Sequence, residues 1–172
     1  MTGQSLIRRA PALLPLMLSA AAVAAPVPAS TDATGTASIL RPLTILKQSD
    51  MDFGELVVAG AGTAVINPVS SAMTTTAALT PIGTTAHPAV FTTTGSRNSV
   101  VIIRIPQNPI TLTRVGGTET MAVSGWTLDG NSNRRIPQNT GFNFAVGATL
   151  TVAAGQIDGT YLGTFDVTVQ YP

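Results

Sequence analysis

Five groups of residues in this sequence are of types that could do chemistry, and each lacks part of the set its chemistry needs. His87 is the sole histidine, precedes Pro88 in a loop, and has no cysteine anywhere in the chain to activate. No motif sets a Ser or Asp beside it, so a surface or turn role is the simpler reading. Ser124 precedes a single glycine and lacks the G-x-S-x-G elbow of a hydrolase. Asp129, Asn131 and Asn133 open like a calcium loop, but Arg134 stands where the loop needs Gly and Thr140 where it needs a bidentate Glu. Asp50, Asp52 and Glu55 could gather around a divalent ion, although three carboxylates in one loop are commonly solvated or capping groups. Trp126, the only tryptophan, is either a sugar-stacking platform or part of a core, and no second aromatic stands at a spacing that would build a binding strip. No residue is therefore assigned a catalytic, cofactor-binding or metal-binding role, and the sequence reads as that of a non-enzyme.

The beginning of the chain has the pattern of an export signal. Arg8 and Arg9 precede an uncharged run from Ala10 to Ala24, broken by Pro11 and Pro15, and Ala22-Val23-Ala24 supplies the small residues of a cleavage site. The run is too short and too broken to be a permanent membrane span. The Arg8-Arg9 pair resembles a twin-arginine signal, but Ala10-Pro11-Ala12 follows it, which favours the general export route. Removing residues 1–24 leaves seven Lys and Arg against eight Asp and Glu. A nearly neutral chain whose longest basic run is Arg134-Arg135 offers nucleic acid no electrostatic footprint. Export permits disulfides, yet the chain has no cysteine, so packing and sheet hydrogen bonds must hold the fold. The expected location is periplasm, cell surface or the extracellular medium.

The elements that would position these residues read as strands. Residues 25–36 are mostly Ala, Pro, Ser, Thr and Gly and read as a flexible leader, and residues 37–172 as one domain. Ala37 to Lys47 reads as a first strand in two halves about Pro42. Further strands are expected at Thr63 to Asn67, Met73 to Leu79, Ala89 to Thr94, Ile110 to Arg114 and Thr118 to Trp126, with Pro81 to Pro88 as a loop. Ser99 to Ile105 carries four consecutive β-branched residues, as a strand buried on both faces would. Asp129-Gly130-Asn131 is a turn by residue type, Phe142, Phe144 and Val146 alternate, Gly147 turns or bulges, and Leu150 and Val152 alternate again. No segment keeps a helical period. About nine short, mostly antiparallel strands with regular turn signals indicate an all-β, immunoglobulin-like β-sandwich.

The longest alternation is the last. Gly159, Tyr161, Gly163, Phe165, Val167, Val169 and Tyr171 fall on one face of an extended segment, while Thr160, Leu162, Thr164, Asp166, Thr168 and Gln170 fall on the other. The first set is the candidate assembly edge.

Leu43-Thr44-Ile45, Asp52-Phe53-Gly54, Gly62 to Pro68, Ala89-Val90-Phe91, Val146 to Leu150 and Gly159 to Phe165 together resemble a family of exported bacterial domains of unknown function, family 4402. The resemblance runs from about Ile39 to Tyr171 and implies kinship without an activity. The final segment is also similar to that of chaperone–usher pilin subunits, with Gly159 fourteenth from the end, alternating apolar residues and Tyr171 penultimate. The absence of cysteines points to disulfide-free relatives. This second resemblance implies a fimbrial or other surface subunit that polymerises by strand addition, with a periplasmic chaperone and an usher as partners. The candidate donor strand has Ala33, Gly35, Ala37 and Ile39 on alternate positions, and the opposing reading has residues 25–36 as a mere tether with Ala37 to Lys47 completing the domain's own sandwich. The alternative function is a self-contained secreted module that binds a surface polysaccharide or protein through its loops and Trp126.

Overall fold

The computed structural model describes residues 31–137 and 141–172. The signal peptide read over residues 1–24, the first six leader residues and the Thr140 position of the calcium-loop reading lie outside the described residues. Residues 31–37, taken by themselves, are exposed and carry no strand. From Ser38 onward the chain forms one compact unit of strands, with no helix among the described residues. The described residues form thirteen strands, several of them only two to four residues long: β1 (Thr44–Ser49), β2 (Glu55–Val58), β3 (Gly62–Ile66), β4 (Met73–Thr75), β5 (Leu79–Ile82), β6 (Ala89–Thr94), β7 (Val100–Arg104), β8 (Ile110–Arg114), β9 (Thr120–Leu128), β10 (Asn133–Arg135), β11 (Phe142–Val152), β12 (Tyr161–Leu162) and β13 (Thr168–Gln170).

Every ladder is antiparallel, and the fold is an all-β sandwich. One layer is an eight-stranded sheet in the order β1-β6-β11-β9-β8-β12, with β3 also on β11 and β4 on β3. Facing it are a three-stranded sheet, β10-β7-β13, and a two-stranded one, β2-β5. Alternation explains the two layers, since residues two apart share a face. Ala64, Val123, Ala148, Leu150 and Val152 of the large sheet pack with Leu79 of β5, and Phe91, Phe144 and Val146 pack with Ile103 of β7. Phe91 and Phe144, on adjacent strands, stack with ring centroids 5.4 Å apart.

Strand β11 is the centre. One of its edges pairs with β6 over Phe142 to Val146 and with β3 over Thr149 to Val152, and the other pairs with β9. Gly147 stands where the neighbour changes, and a Cβ there would collide with the Ile66 carbonyl and the Pro68 ring. The β9 register slips opposite this point, with Gly147 against Thr127 but Thr149 against Ser124, so β9 carries the extra residue. Gly125 sits in that bulge at φ +60, a left-handed angle that glycine adopts without steric cost. The bulge resets the alternation. Counting by twos from Val123 would turn Trp126 outward, and the extra residue turns it inward, where it packs on both apolar clusters.

Several sequence expectations are corrected. The first strand begins at Thr44, after Pro42, and does not extend back to Ala37. Met73 to Leu79 is two strands joined by a turn closed by the Leu79 N–H on the Thr76 carbonyl, and β5 incorporates Pro81 at an edge, where no donor is required. The strand β7 buries Val101 and Ile103 but leaves Val100 exposed, because only one side of that sheet faces the core. The final segment is two short ladders in different sheets. Tyr161 and Leu162 pair with β8, Thr168 to Gln170 pair with β7, and Gly163 to Val167 cross between the layers outside any ladder.

The bulge yields a stability test. Gly125→Val forces a β-branched residue into a left-handed angle, and an equilibrium urea titration is expected to show a loss of about 1–2 kcal/mol. Emission from the sole tryptophan should shift to the red as Trp126 leaves the interior.

Candidate functional site

The two smaller sheets leave part of the large sheet's inner face uncovered. Beside β2 lies a groove with a cavity volume of about 1170 Å³, floored by Ile110 and Leu112 of β8, Met121, Val123 and Trp126 of β9, and Leu150 and Val152 of β11. One wall is β2 with the preceding loop from Ser49, and the other is Gln156 to Phe165. Ile110, Leu112, Met121 and Trp126 belong to the core by position yet are only half-buried, as are Leu56 and Val58 on the β2 wall. The site is a stretch of sandwich interior open to solvent.

Both walls carry free backbone edges among the described residues. Strand β2 pairs only with β5, and Gly163 to Val167 lie in no ladder. Two glycines bring the second wall into place. Gly159 takes φ +140, and a Cβ on it would lie 2.9 Å from Arg114 Cδ. Gly163 lies flush on β8, where a Cβ would come within 2.6 Å of Leu112 Cδ2. Beyond it Phe165, Val167, Val169 and Tyr171 are half-buried while Asp166, Thr168 and Gln170 are exposed, the alternation that the sequence indicates.

Of the candidate edge residues, Gly159, Tyr161, Gly163 and Phe165 border the groove. Val167 and Val169 pack instead on the cluster around Phe91 and Phe144, and the Tyr171 hydroxyl is hydrogen-bonded at the far end of β13. Ala33, Gly35 and Ala37 are exposed and outside any strand, and Ile39 is 96% exposed.

The residues that could do chemistry are mostly occupied by neighbours. His87 and Asp52 form an isolated backbone bridge at the groove's margin, and the Asp52 carboxylate accepts the Gly54 N–H at 2.8 Å, a loop cap. Asp50 pairs with Lys47, and Asp129 with Arg134 at 2.5 Å. The arginine that displaces the calcium-loop glycine thus holds the first carboxylate of that reading. Trp126 donates from Nε1 to the Asn108 carbonyl at 3.1 Å and lies 4.7 Å from the Phe165 ring. Phe165 is the second aromatic that spacing along the chain does not supply. The uncovered floor was beyond sequence reasoning, because alternation marks Ile110, Leu112 and Met121 as inward-facing without showing what covers them.

Arg114 organises the wall's upper end. It pairs with Glu119 at 2.6 Å across the β8–β9 hairpin and lies opposite Tyr161 in the ladder. The Arg114 hydrogen bond, followed by backbone N–H groups of Glu119 and Thr118, lowers the Glu119 pKa to about 2, and the same pair raises that of Arg114.

Residues 43–171 match the family model described as "Domain of unknown function (DUF4402)". No curated protein and no solved structure matches the chain.

A carboxylate whose folded pKa lies below its unfolded value stabilises the fold above the unfolded value, and that stabilisation disappears as pH falls through the folded one. The Glu119 contribution is therefore fully present above pH 4.5 and lost on the way down through about 2. Denaturation midpoints of the protein and of Glu119→Gln should differ at pH 7 and converge across that window.

Proposed function

Because the chain belongs to the domain-of-unknown-function family DUF4402, a membership that carries no activity with it, we propose a role from the groove itself. The protein is an exported structural subunit of a fimbrial or other cell-surface assembly, and it polymerises when the N-terminal segment of one copy enters the groove of the next as an added strand. It acts as no enzyme. The supporting observation is the cavity of about 1170 Å³ floored by half-buried core side chains and flanked by two unpaired backbone edges. Small-ligand clefts are about 300–1,000 Å³, so the groove favours an extended occupant. An added strand would satisfy backbone groups on both walls and cover the floor together.

Residues 31–39 suit this role because they are exposed and outside any strand. Their alternate side chains Ala33, Gly35 and Ala37 are small, so main-chain hydrogen bonds carry much of the pairing and Ile39 supplies the one large apolar contact. A periplasmic chaperone that covers the groove before assembly, and an usher, are the partners this reading implies.

A second reading rests on Trp126 and Phe165, whose rings meet at the groove. A self-contained module would bind a surface glycan there and remain a monomer, and Trp126 emission would be quenched by the glycan.

Chains beginning at Ala25 and at Ala37, compared by size-exclusion chromatography with light scattering, separate the two readings. Strand addition predicts polymers from the longer chain and monomers from the shorter. Undiminished polymers from the shorter chain would sink the donor role. Met121→Glu, which puts a charge on the groove floor, should likewise abolish polymers while the fold persists.

A further inference from the structure

Tyr171, Ser96 and Arg41 are joined in a ring of three hydrogen bonds. The Tyr171 hydroxyl accepts the Ser96 N–H at 2.8 Å and donates to the Arg41 carbonyl at 2.8 Å, and the Arg41 N–H donates to Ser96 Oγ. Gly95 lets these parts approach, since a Cβ there would lie 2.7 Å from both Leu43 Cδ2 and the Tyr171 hydroxyl and 2.8 Å from Ile136 Cδ1. The chain is therefore gripped from Arg41 to Leu43, through its backbone at one residue and its side chain at the other. Immediately upstream the grip ends, with Leu40 and Ile39 exposed and outside any strand.

The segment beyond that point has no means of setting its own register. Ala33, Gly35 and Ala37 present nearly the same small side chains at alternate positions. A slip of two residues keeps the same face inward, and strands of small residues specify register weakly. Resting on the strand-addition reading above, we infer that Tyr171 is a positioning residue: with Ser96 it fixes Arg41 as the root of the N-terminal segment. Only residues before Arg41 can then enter a second copy's groove, and Ile39 is the last side chain on the face that Ala33, Gly35 and Ala37 share. The penultimate residue so controls an event at the opposite terminus.

Cysteine cross-linking tests this, because the chain has no cysteine of its own. Leu112→Cys on the groove floor is combined, one at a time, with Ala33→Cys, Gly35→Cys, Ala37→Cys or Ile39→Cys, in chains beginning at Ala25. A disulfide needs Cβ atoms about 3.5–4.5 Å apart, so ladders on a non-reducing gel report register. One donor position is expected to dominate. In Tyr171→Phe, and equally in Ser96→Ala, the next position on the same face should gain about tenfold relative to it, the weight of roughly one lost hydrogen bond. A merely structural role would lower the unfolding midpoint and leave the cross-link pattern unchanged. The same single dominant position in both variants, with Trp126 emission native-like, overturns the positioning role and leaves strand addition standing. No cross-link in the parent chain overturns strand addition, and the positioning role with it.

Discussion

A pleated sheet with an apolar face has to be covered on that face, and in this protein the cover is in two pieces. The large sheet assembles around β11, which pairs with three neighbours and buries nearly every residue from Phe144 to Val152. Opposite it, β10-β7-β13 covers the Phe91 and Phe144 end, and β2-β5, through Leu79, covers the Ala64 and Leu150 side. Neither reaches Ile110, Leu112 and Met121. Full burial of each such side chain is worth about 1.5–3 kcal/mol, of which the half-buried state realises only part. The remainder is available to whatever completes the layer.

Without disulfides, the pieces are held by specific local devices. Gly125 reverses the alternation of β9 and brings Trp126 inside, where Phe165 meets it from the last segment. Arg114 ties the β8–β9 hairpin through Glu119 while its side chain fills the space beside Gly159. The Tyr171 ring of hydrogen bonds joins the start of the domain to its end. The crossing segment Gly163 to Val167 is thus secured at both ends while its own backbone stays outside the ladders.

Much of the fold was legible in the sequence. Alternation located β6, β8, β11 and most of β9, and the inward face of the last segment from Phe165 to Tyr171. Gly147, expected to turn or bulge, instead lies inside the continuous strand β11, whose alternation runs through it in phase; the extra residue is on β9, at Gly125. The short strands β2 and β10 escaped, since four and three residues are too few for a period to show. The break at Gly163 escaped for the opposite reason: the alternation continues through it, and nothing local says that the partner strand changes from β8 to β7. The groove was the least legible feature. Its floor, walls and aromatic pair come from residues as far apart as Ser49 and Phe165, and an uncovered surface is a property of what fails to pack there.

The place of β11 in the chain also governs how the protein can form. Its neighbours β3, β6 and β9 all precede it, so a chain emerging from its N-terminus presents those edges before the strand that joins them exists. Hairpins such as β8–β9 can close early, but the large sheet waits for residues 142–152. Pairing over such sequence separations is slow, and unpaired apolar edges invite association while it is pending. Folding is accordingly a late event, completed only when nearly the whole chain is present.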